Sequence, residues 1–244
     1  MRTRRTIIAA ATGAALVAGL AAPATAGTAT GSTEIGTVQV TASNAQWVEY
    51  GGCLEVPTSA SATLPHSDVS WRVYLDAYWP GSGSSASSDF MAGAGWGNLS
   101  DSGDFLMCPS TDRAGRYTVV GTVEFRDIRR NQRASTPVST SFTLSKMTST
   151  ATITKVRKLR GGTKVVGRAT AASAKLGTIG ARGDVIVKAK KPRTKRWARV
   201  GVDDPNDRGR FVVRTGGKYP KGTKFKAIYR GDQITQRDVS PVRR

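Results

Sequence analysis

The 244-residue sequence contains one histidine and two cysteines, and aromatic residues make up only 7% of it. Acid–base and nucleophilic catalysis in proteins usually relies on a histidine or a tuned carboxylate placed beside a nucleophile. The lone His66 lies in segment 64–68, whose Pro, Ser and Asp residues predict a turn. A glycine-rich phosphate loop, a zinc-ligand spacing and a nucleophile elbow are also absent from the sequence. We therefore predict a protein that is not an enzyme and has no catalytic residue, metal site or cofactor.

Apolar runs long enough for a membrane span, about 18 residues, are absent after the first 26 residues. Those 26 residues combine a basic start, an apolar Ala-rich stretch and the small-x-small triplet Ala-Thr-Ala at 24–26. This combination predicts a secretory signal peptide, residues 1–26, cleaved after Ala26. A transmembrane anchor is the alternative, but Gly13 and Gly19 interrupt the apolar stretch.

The route and destination of export follow from the same region. Arg4 and Arg5 leave open whether export uses the general or the twin-arginine route. No cysteine follows the apolar stretch as a lipid-attachment site, and the C-terminus shows no sorting signal. We expect a secreted, extracellular protein without a transmembrane span, either free or associated with the cell wall.

Cys53 and Cys108 are the only cysteines, and outside the cell two such thiols most often form one disulfide. The bond would close a loop of 55 residues, which in the chain-entropy model stabilises the fold by roughly 4 kcal/mol. A two-cysteine metal site is the alternative, but it lacks further ligands because His66 is the sole histidine.

Charge is distributed very unevenly along the chain. Residues 27–146 hold eight Lys and Arg against eleven Asp and Glu, a net charge of −3, whereas residues 147–244 hold 26 against six, a net charge of +20. Such asymmetry predicts two domains with different partners, divided at the polar segment 146–152, which we expect to act as a hinge. A field of this size attracts polyanions.

Short apolar runs of period two, bounded by turn residues, recur through both halves, and no segment shows a helical period. In the first half the clearest runs are 69–77 and 117–125. The second half contains seven runs, at 153–156, 165–169, 185–190, 197–202, 211–215, 224–229 and 239–242. We predict an all-β protein with two tandem immunoglobulin-like β-sandwiches, 27–146 and 147–244. Segment 27–33 is expected to be a mobile leader, and segments 80–88 and 93–102 are expected to be loops.

Two parts of the sequence resemble immunoglobulin-like domains. Asp112 to Tyr117 resembles the tyrosine corner before the penultimate strand, although Val119 stands where immunoglobulins have a cysteine, so this likeness concerns architecture alone. In the second half, the segments at 165–169, 185–187, 196–200, 209–211 and 226–232 are similar to the Ig-like repeat domains of secreted bacterial surface proteins. Such domains serve as spacers or binding modules, so the resemblance implies no catalysis.

Ten basic residues form the one constellation with a binding mechanism: Lys188, Lys190, Lys191, Arg193, Lys195, Arg196, Arg199, Lys224, Lys226 and Arg230. Seven follow one predicted hairpin, and three follow a strand expected in the same sheet, facing out if Phe225 and Ala227 face the core. Counterion release would bind such a patch to anionic polymers such as cell-wall polymers, nucleic acid or anionic lipid surfaces. Trp197, within the hairpin, is interpreted as a core residue, with stacking on a ligand as the alternative.

These observations predict a secreted, non-enzymatic binding or adhesion-type protein whose cationic C-terminal domain contacts anionic polymers. One alternative is a structural spacer or envelope protein whose charge is incidental. Another is a secreted hydrolase or protease inhibitor that uses the loops at 80–88 or 93–102.

Segment 203–207 resembles a fragment of a calcium loop, but the closing Glu is missing, which favours a polar turn.

Overall fold

The computed structural model describes residues 26–243, and every regular element in that range is a β-strand. The all-β fold class predicted from the period-two runs is therefore confirmed. Within the described range no helix is long and apolar enough to cross a membrane. The predicted signal peptide lies outside the described residues, apart from Ala26.

Seven strands in the first half form one continuous sheet: β1 Gly27–Ser32, β2 Thr37–Ala42, β3 Ala45–Gln46, β4 Leu54–Tyr78, β5 Ser87–Met107, β6 Gly115–Asp127 and β7 Gln132–Ser145. The order is β1-β2-β4-β6-β7-β3, and β5 pairs with β4. All pairs are antiparallel except β3 with β7. Segment 27–33 was expected to be a mobile leader, yet most of it forms β1, paired along its length with β2.

The long strands β4 and β5 bend together and pass from one layer to the other. Their register is interrupted between Leu64 and Val69, opposite Gly95 and Gly97, whose φ angles are +148° and +85°. Before this bend β4 pairs with β2, and after it β4 pairs with β6. The predicted turn at 64–68 is therefore a bulge inside β4, and the predicted loop at 93–102 is the middle of β5. Bends of this kind let strands switch layers.

The bend folds this one sheet over on itself, which gives a half-barrel. Its far ends meet where β1 lies against β7, and a Cβ on Gly27 would come within 2.0 Å of the Ser141 carbonyl oxygen.

The edge of β5 that has no neighbouring strand is capped by side chains of β5 itself. The N–H of Ala92 donates to Asp101 over 3.0 Å, and the N–H of Leu106 donates to Ser87 over 3.0 Å. Such capping protects an edge from pairing with another chain.

Large side chains fill the interior of the half-barrel. Trp71, Val73 and Leu75 of β4 are at most 2% exposed, as their alternation predicted. Tyr117 stacks on Phe142 with ring centroids 5.1 Å apart. The predicted tyrosine corner has the expected hydrogen bond, because the Tyr117 hydroxyl donates to the Arg113 carbonyl over 2.9 Å. Burial raises the pKa of Tyr117 to about 12.

The predicted disulfide between Cys53 and Cys108 is confirmed. The two cysteines flank the pair Leu54–Met107, where β4 begins and β5 ends. The bond therefore joins neighbouring strands of one sheet at the open end of their hairpin. It differs in this respect from the disulfide between facing sheets in immunoglobulins.

Eight strands follow in the second half: β8 Ser149–Leu159, β9 Gly162–Ser173, β10 Gly177–Gly180, β11 Val185–Lys190, β12 Ala198–Asp203, β13 Arg210–Thr215, β14 Lys224–Tyr229 and β15 Asp238–Val239. One sheet contains β8, β9, β10 and β13, and the other has the order β12-β11-β14-β15. The two sheets enclose a second core that includes Val165, Val187, Phe211 and Ala227. Seven of these strands were predicted, and only the short β10 was not.

Segment 146–152, which we expected to act as a hinge, is held by burial and by backbone hydrogen bonds at Met147. Met147 is fully buried. Its N–H donates to the Ile234 carbonyl over 2.7 Å, and its own carbonyl accepts from Gln236 over 2.9 Å. Nearby, the guanidinium of Arg182 lies 5.1 Å from the centre of the Tyr50 ring, so the two halves contact each other.

Candidate polyanion-binding surface

The strands β12, β11 and β14 bring predicted basic residues from distant parts of the sequence onto one sheet face. Lys188 on β11 lies opposite Arg199 on β12 and Lys226 on β14. Lys190 lies opposite Lys224 in the same pairing. We call these five residues the basic sheet face. Neighbouring strands are about 4.8 Å apart, so each cation has a like charge beside it.

The alternation of the strands sets this orientation. Val187, Ala189, Phe225 and Ala227 are at most 3% exposed and point into the second core. The lysines between them must therefore point out of the sandwich. The four lysine side chains are half-buried, because long aliphatic stems lie along a surface while the ammonium groups reach solvent.

Four of the six carboxylates of the second half accept hydrogen bonds from backbone N–H groups. Asp203 accepts from the Val212 N–H over 2.5 Å, and Asp238 accepts from the Ala151 N–H over 2.6 Å. Asp204 and Asp232 also accept hydrogen bonds from backbone N–H groups. Among the described residues, no ion pair joins two members of segment 147–243. The positive charge of the basic sheet face is therefore not neutralised locally.

The loop between β11 and β12 holds four more predicted residues, Lys191, Arg193, Lys195 and Arg196, all of them exposed. It begins with a tight turn in which the Thr194 hydroxyl donates to the Lys191 carbonyl over 2.9 Å. Arg193 has a φ of +63°. This left-handed conformation costs a non-glycine residue about 1–2 kcal/mol. A charged side chain thus occupies a position where glycine would be conformationally easier.

Trp197 lies outside the core, contrary to our interpretation of it as a core residue. Its side chain is half-buried, and the Lys226 ammonium nitrogen is 4.6 Å from the centre of its ring. A cation over an indole face gains about 0.5–1 kcal/mol at an exposed site. Trp197 therefore belongs to the same surface as the basic sheet face, where it presents an aromatic ring among the cations.

Arg230 is separated from the other nine residues. It follows β14 on the outward side, but Ile228 stands between it and Lys226 and pairs with Ile186 across the strands. Both isoleucines are only 8% exposed. Four residues of strand place Arg230 about 13 Å from Lys226 along the sheet. The structure thus places nine predicted residues at one end of the sheet and Arg230 beyond an apolar strip.

Lys218 and Lys221 extend the surface and were missed from the sequence. Both are exposed in the loop before β14. A Cβ on Gly222 of that loop would lie 3.5 Å from the Pro192 ring in the neighbouring turn. The antiparallel pairing of β11 with β14 is the signal that places these two loops at the same end of the sheet.

The two other candidates from the sequence, His66 and segment 203–207, form hydrogen bonds within the chain itself. His66 lies in the bulge of β4, with its Nε2 atom 3.2 Å from the carboxylate of Asp127. Burial raises the pKa of Asp127, but hydrogen bonds from the Arg130 N–H and from His66 outweigh it and lower the pKa below its usual value. In segment 203–207 the Asn206 side chain accepts from Arg210 over 2.9 Å, which closes a polar turn.

Comparisons with known proteins do not identify a family. No family model matches the chain, and no curated protein matches it. Among solved structures, the chain is similar to a transglutaminase of the red sea bream, with a TM-score of 0.33 and 7% sequence identity. The alignment covers 84% of this chain and 31% of the transglutaminase chain. A likeness this low carries no argument about function, and the chain spans less than a third of that protein's length.

Proposed function

We propose that the mature chain is a secreted, non-enzymatic binding protein of two tandem Ig-like sandwiches, residues 27–146 and 147–244, and that the basic sheet face attaches it to anionic polymers. Cell-wall polymers are the target we favour, which would make the protein wall-associated. The observation that carries the proposal is the row Arg199–Lys188–Lys226, with Lys190 and Lys224 beside it and no carboxylate paired to any of them in the described range.

Repulsion between the cations of the basic sheet face supports the binding of an anion from outside the protein. Like charges directly opposite each other on neighbouring strands destabilise a sheet. A bound polyanion converts that repulsion into attraction and releases its own condensed counterions. The architecture is supported by the facing sheets of the second half and by the hydrogen bond of the tyrosine corner in the first.

The test compares two variants of the mature chain with the same net charge. One replaces Lys188, Lys190, Lys224 and Lys226 with Ser. The control replaces four exposed cations of the opposite sheet with Ser, namely Lys155, Arg157, Lys158 and Arg168. Binding to long-chain polyphosphate and to purified bacterial cell walls, with and without their anionic polymers, is measured across a salt series.

We expect the basic-face variant to lose about a hundredfold in affinity and three to four units of the slope of log K against log salt concentration. The control should retain most of both. Equal losses in the two variants would show that bulk charge, not this face, attracts the polymer. Wall retention that is indifferent to salt and to the anionic polymers would refute electrostatic attachment.

A further inference from the structure

A second surface, on the half-barrel, has a different chemistry. A groove of about 790 Å³ crosses the solvent side of β5, β4, β6 and β7. We call it the aromatic groove. Its floor is built from small residues, including Ala92, Ala94, Ser70 and Ser135. Because these side chains are short, the larger residues around them stand up as walls.

One end of the aromatic groove carries two exposed rings. Phe90 is 52% exposed and lines the groove, and Tyr74 beside it is 45% exposed. Their ring centroids are 4.9 Å apart, with the planes inclined by 41°. Aromatic side chains bury much apolar area when a partner covers them, so two adjacent rings in solvent form a binding platform.

The middle of the groove offers hydrogen-bond donors and acceptors side by side. The Nε atom of Arg72 lies 2.5 Å from the carboxylate of Glu124, and the guanidinium also lies 5.6 Å from the centre of the Tyr74 ring. Ser70 and Ser135 have no side-chain hydrogen bond to any described residue. This set of groups matches the edge of a sugar ring, where each hydroxyl both donates and accepts.

The other end holds two arginines that have no carboxylate partner among the described residues. Arg126 on β6 lies directly opposite Arg133 on β7, and both are exposed. Within residues 26–243 neither forms an ion pair. Like charges placed opposite each other destabilise a sheet, whereas two guanidinium groups together hold an acid group through charge-assisted hydrogen bonds.

We propose that the aromatic groove binds an acidic oligosaccharide. The apolar face of one sugar stacks on Phe90 and Tyr74, hydroxyls bond to Arg72, Glu124 and the serines, and an acid group lies between Arg126 and Arg133. Four residues of strand separate the two ends, about 13 Å, so the ligand spans several sugars. A nucleic acid fits less well, because it carries a phosphate at every nucleotide and Glu124 stands in the middle of the path.

The probe is a hyaluronan hexasaccharide, in which every second sugar bears a carboxylate, compared with the same sugar after its carboxylates are reduced to alcohols. Backbone amide shifts of the isotope-labelled mature chain report binding by residue. Amides at 70–74, 90–94 and 124–126 report the groove. Amides at 186–190 and 224–228 report the basic sheet face in the same spectra, so either site can fail without the other.

Phe90→Ala should weaken groove binding about fivefold. Its control is Trp96→Ala, since Trp96 is 74% exposed on the same strand but does not line the groove.

The double variant Arg126→Ser with Arg133→Ser should weaken binding of the acidic sugar about tenfold. It should also bind the acidic and reduced sugars equally, whereas Arg129→Ser, outside the groove lining, should keep the wild-type preference for the acid.

Three outcomes would overturn the proposal. The first is the absence of groove shifts with the hexasaccharide. The second is a preference for the acidic sugar that survives in the double arginine variant. The third is an oligothymidylate that shifts the groove amides at lower concentration than the sugar, which would make the groove a nucleic-acid site.

Discussion

Between residues 27 and 146 eight Lys and Arg stand against eleven Asp and Glu, and some of them pair with one another, as Glu124 does with Arg72 and Asp127 does with His66 and Arg130. Between residues 147 and 243 four of the six carboxylates bind backbone N–H groups, and Lys175, which pairs with Glu49 of the first half, is the one cation of this segment with an ion pair in the described range. The difference shows that composition alone does not decide where charge is neutralised. The place of each carboxylate in the fold decides it.

The two halves also build their interiors differently. The first encloses large aromatic side chains and is closed by a disulfide, whereas the second is formed mainly by Val and Ala around Phe211, Phe225 and Tyr229. They share one device. A buried tyrosine hydroxyl donates to a backbone carbonyl in each, Tyr117 to Arg113 and Tyr229 to Arg182.

The largest effect on stability should come from the disulfide. Replacing Cys53 and Cys108 with Ala frees the end of the β4–β5 hairpin in the unfolded chain, and should lower the free energy of unfolding of the first half by about 2–4 kcal/mol. Urea unfolding followed by residue-resolved amide signals measures this. A loss that appears equally in amides of β11 and β14 would contradict the expectation that the effect is confined to the first half, and would show that the two halves unfold as one cooperative unit.

The next largest effect on stability should come from removing a carboxylate of the second half that accepts backbone hydrogen bonds. The Asp232 carboxylate accepts from the N–H groups of Ile234 and Thr235 and from the Thr235 hydroxyl, which in turn contacts Tyr229. Asp232→Ala should cost about 2 kcal/mol of stability because these donors lose their acceptor. Urea unfolding at neutral pH is the measurement.

Asp207→Ala is the matched control for Asp232→Ala. It removes the same charge, but the Asp207 side chain has no hydrogen bond or ion pair to a described residue. It should change stability by less than about 0.5 kcal/mol. Equal destabilisation by the two substitutions would mean that these carboxylates act by lowering the net charge.

The shared tyrosine device predicts a pH dependence. Burial raises the pKa of Tyr117 to about 12 and raises that of Tyr229 as well, whereas an unfolded tyrosine ionises near pH 10. Above pH 10 the unfolded chain therefore binds fewer protons than the folded one, and stability should fall as the pH rises towards 12. Tyr117→Phe should cost about 1 kcal/mol at neutral pH and flatten this fall.

Urea unfolding at several alkaline pH values, with phenolate absorbance as a second signal, checks the dependence. The absorbance should show two tyrosines that ionise only together with unfolding. Ionisation of all the tyrosines at one midpoint in the folded chain would contradict the burial of Tyr117 and Tyr229 as its cause.

The smallest effect concerns the turn of the basic hairpin. Arg193→Gly relieves the left-handed backbone, and because glycine also gains freedom in the unfolded chain, the net stabilisation should be about 0.5 kcal/mol. The same change should reduce the salt slope of polyphosphate binding by about one unit. Arg193→Lys, which keeps charge and strain, should change neither. Weaker binding without a gain in stability would show that the turn is not strained.

Strong alternation made part of the fold predictable from the sequence. The runs at 185–190 and 224–229 become β11 and β14 with the predicted limits, because branched and aromatic residues alternate there with lysines. The disulfide followed from the cysteine count. The segments at 27–33, 64–68 and 93–102 were predicted wrongly, because their Gly, Ala, Ser and Pro residues give little apolar signal. Pairing with neighbouring strands decides their conformation.

The sequence by itself determined the all-β class, the limits of β11 and β14 and the charge that separates the two halves, because these depend on local pattern and composition. Only the tertiary structure decided that Trp197 lies outside the core beneath Lys226, and that Arg72, Phe90, Glu124 and Arg133 share one groove. Those four residues come from four strands, and sheet order and register, which arise from contacts distant in sequence, bring them together.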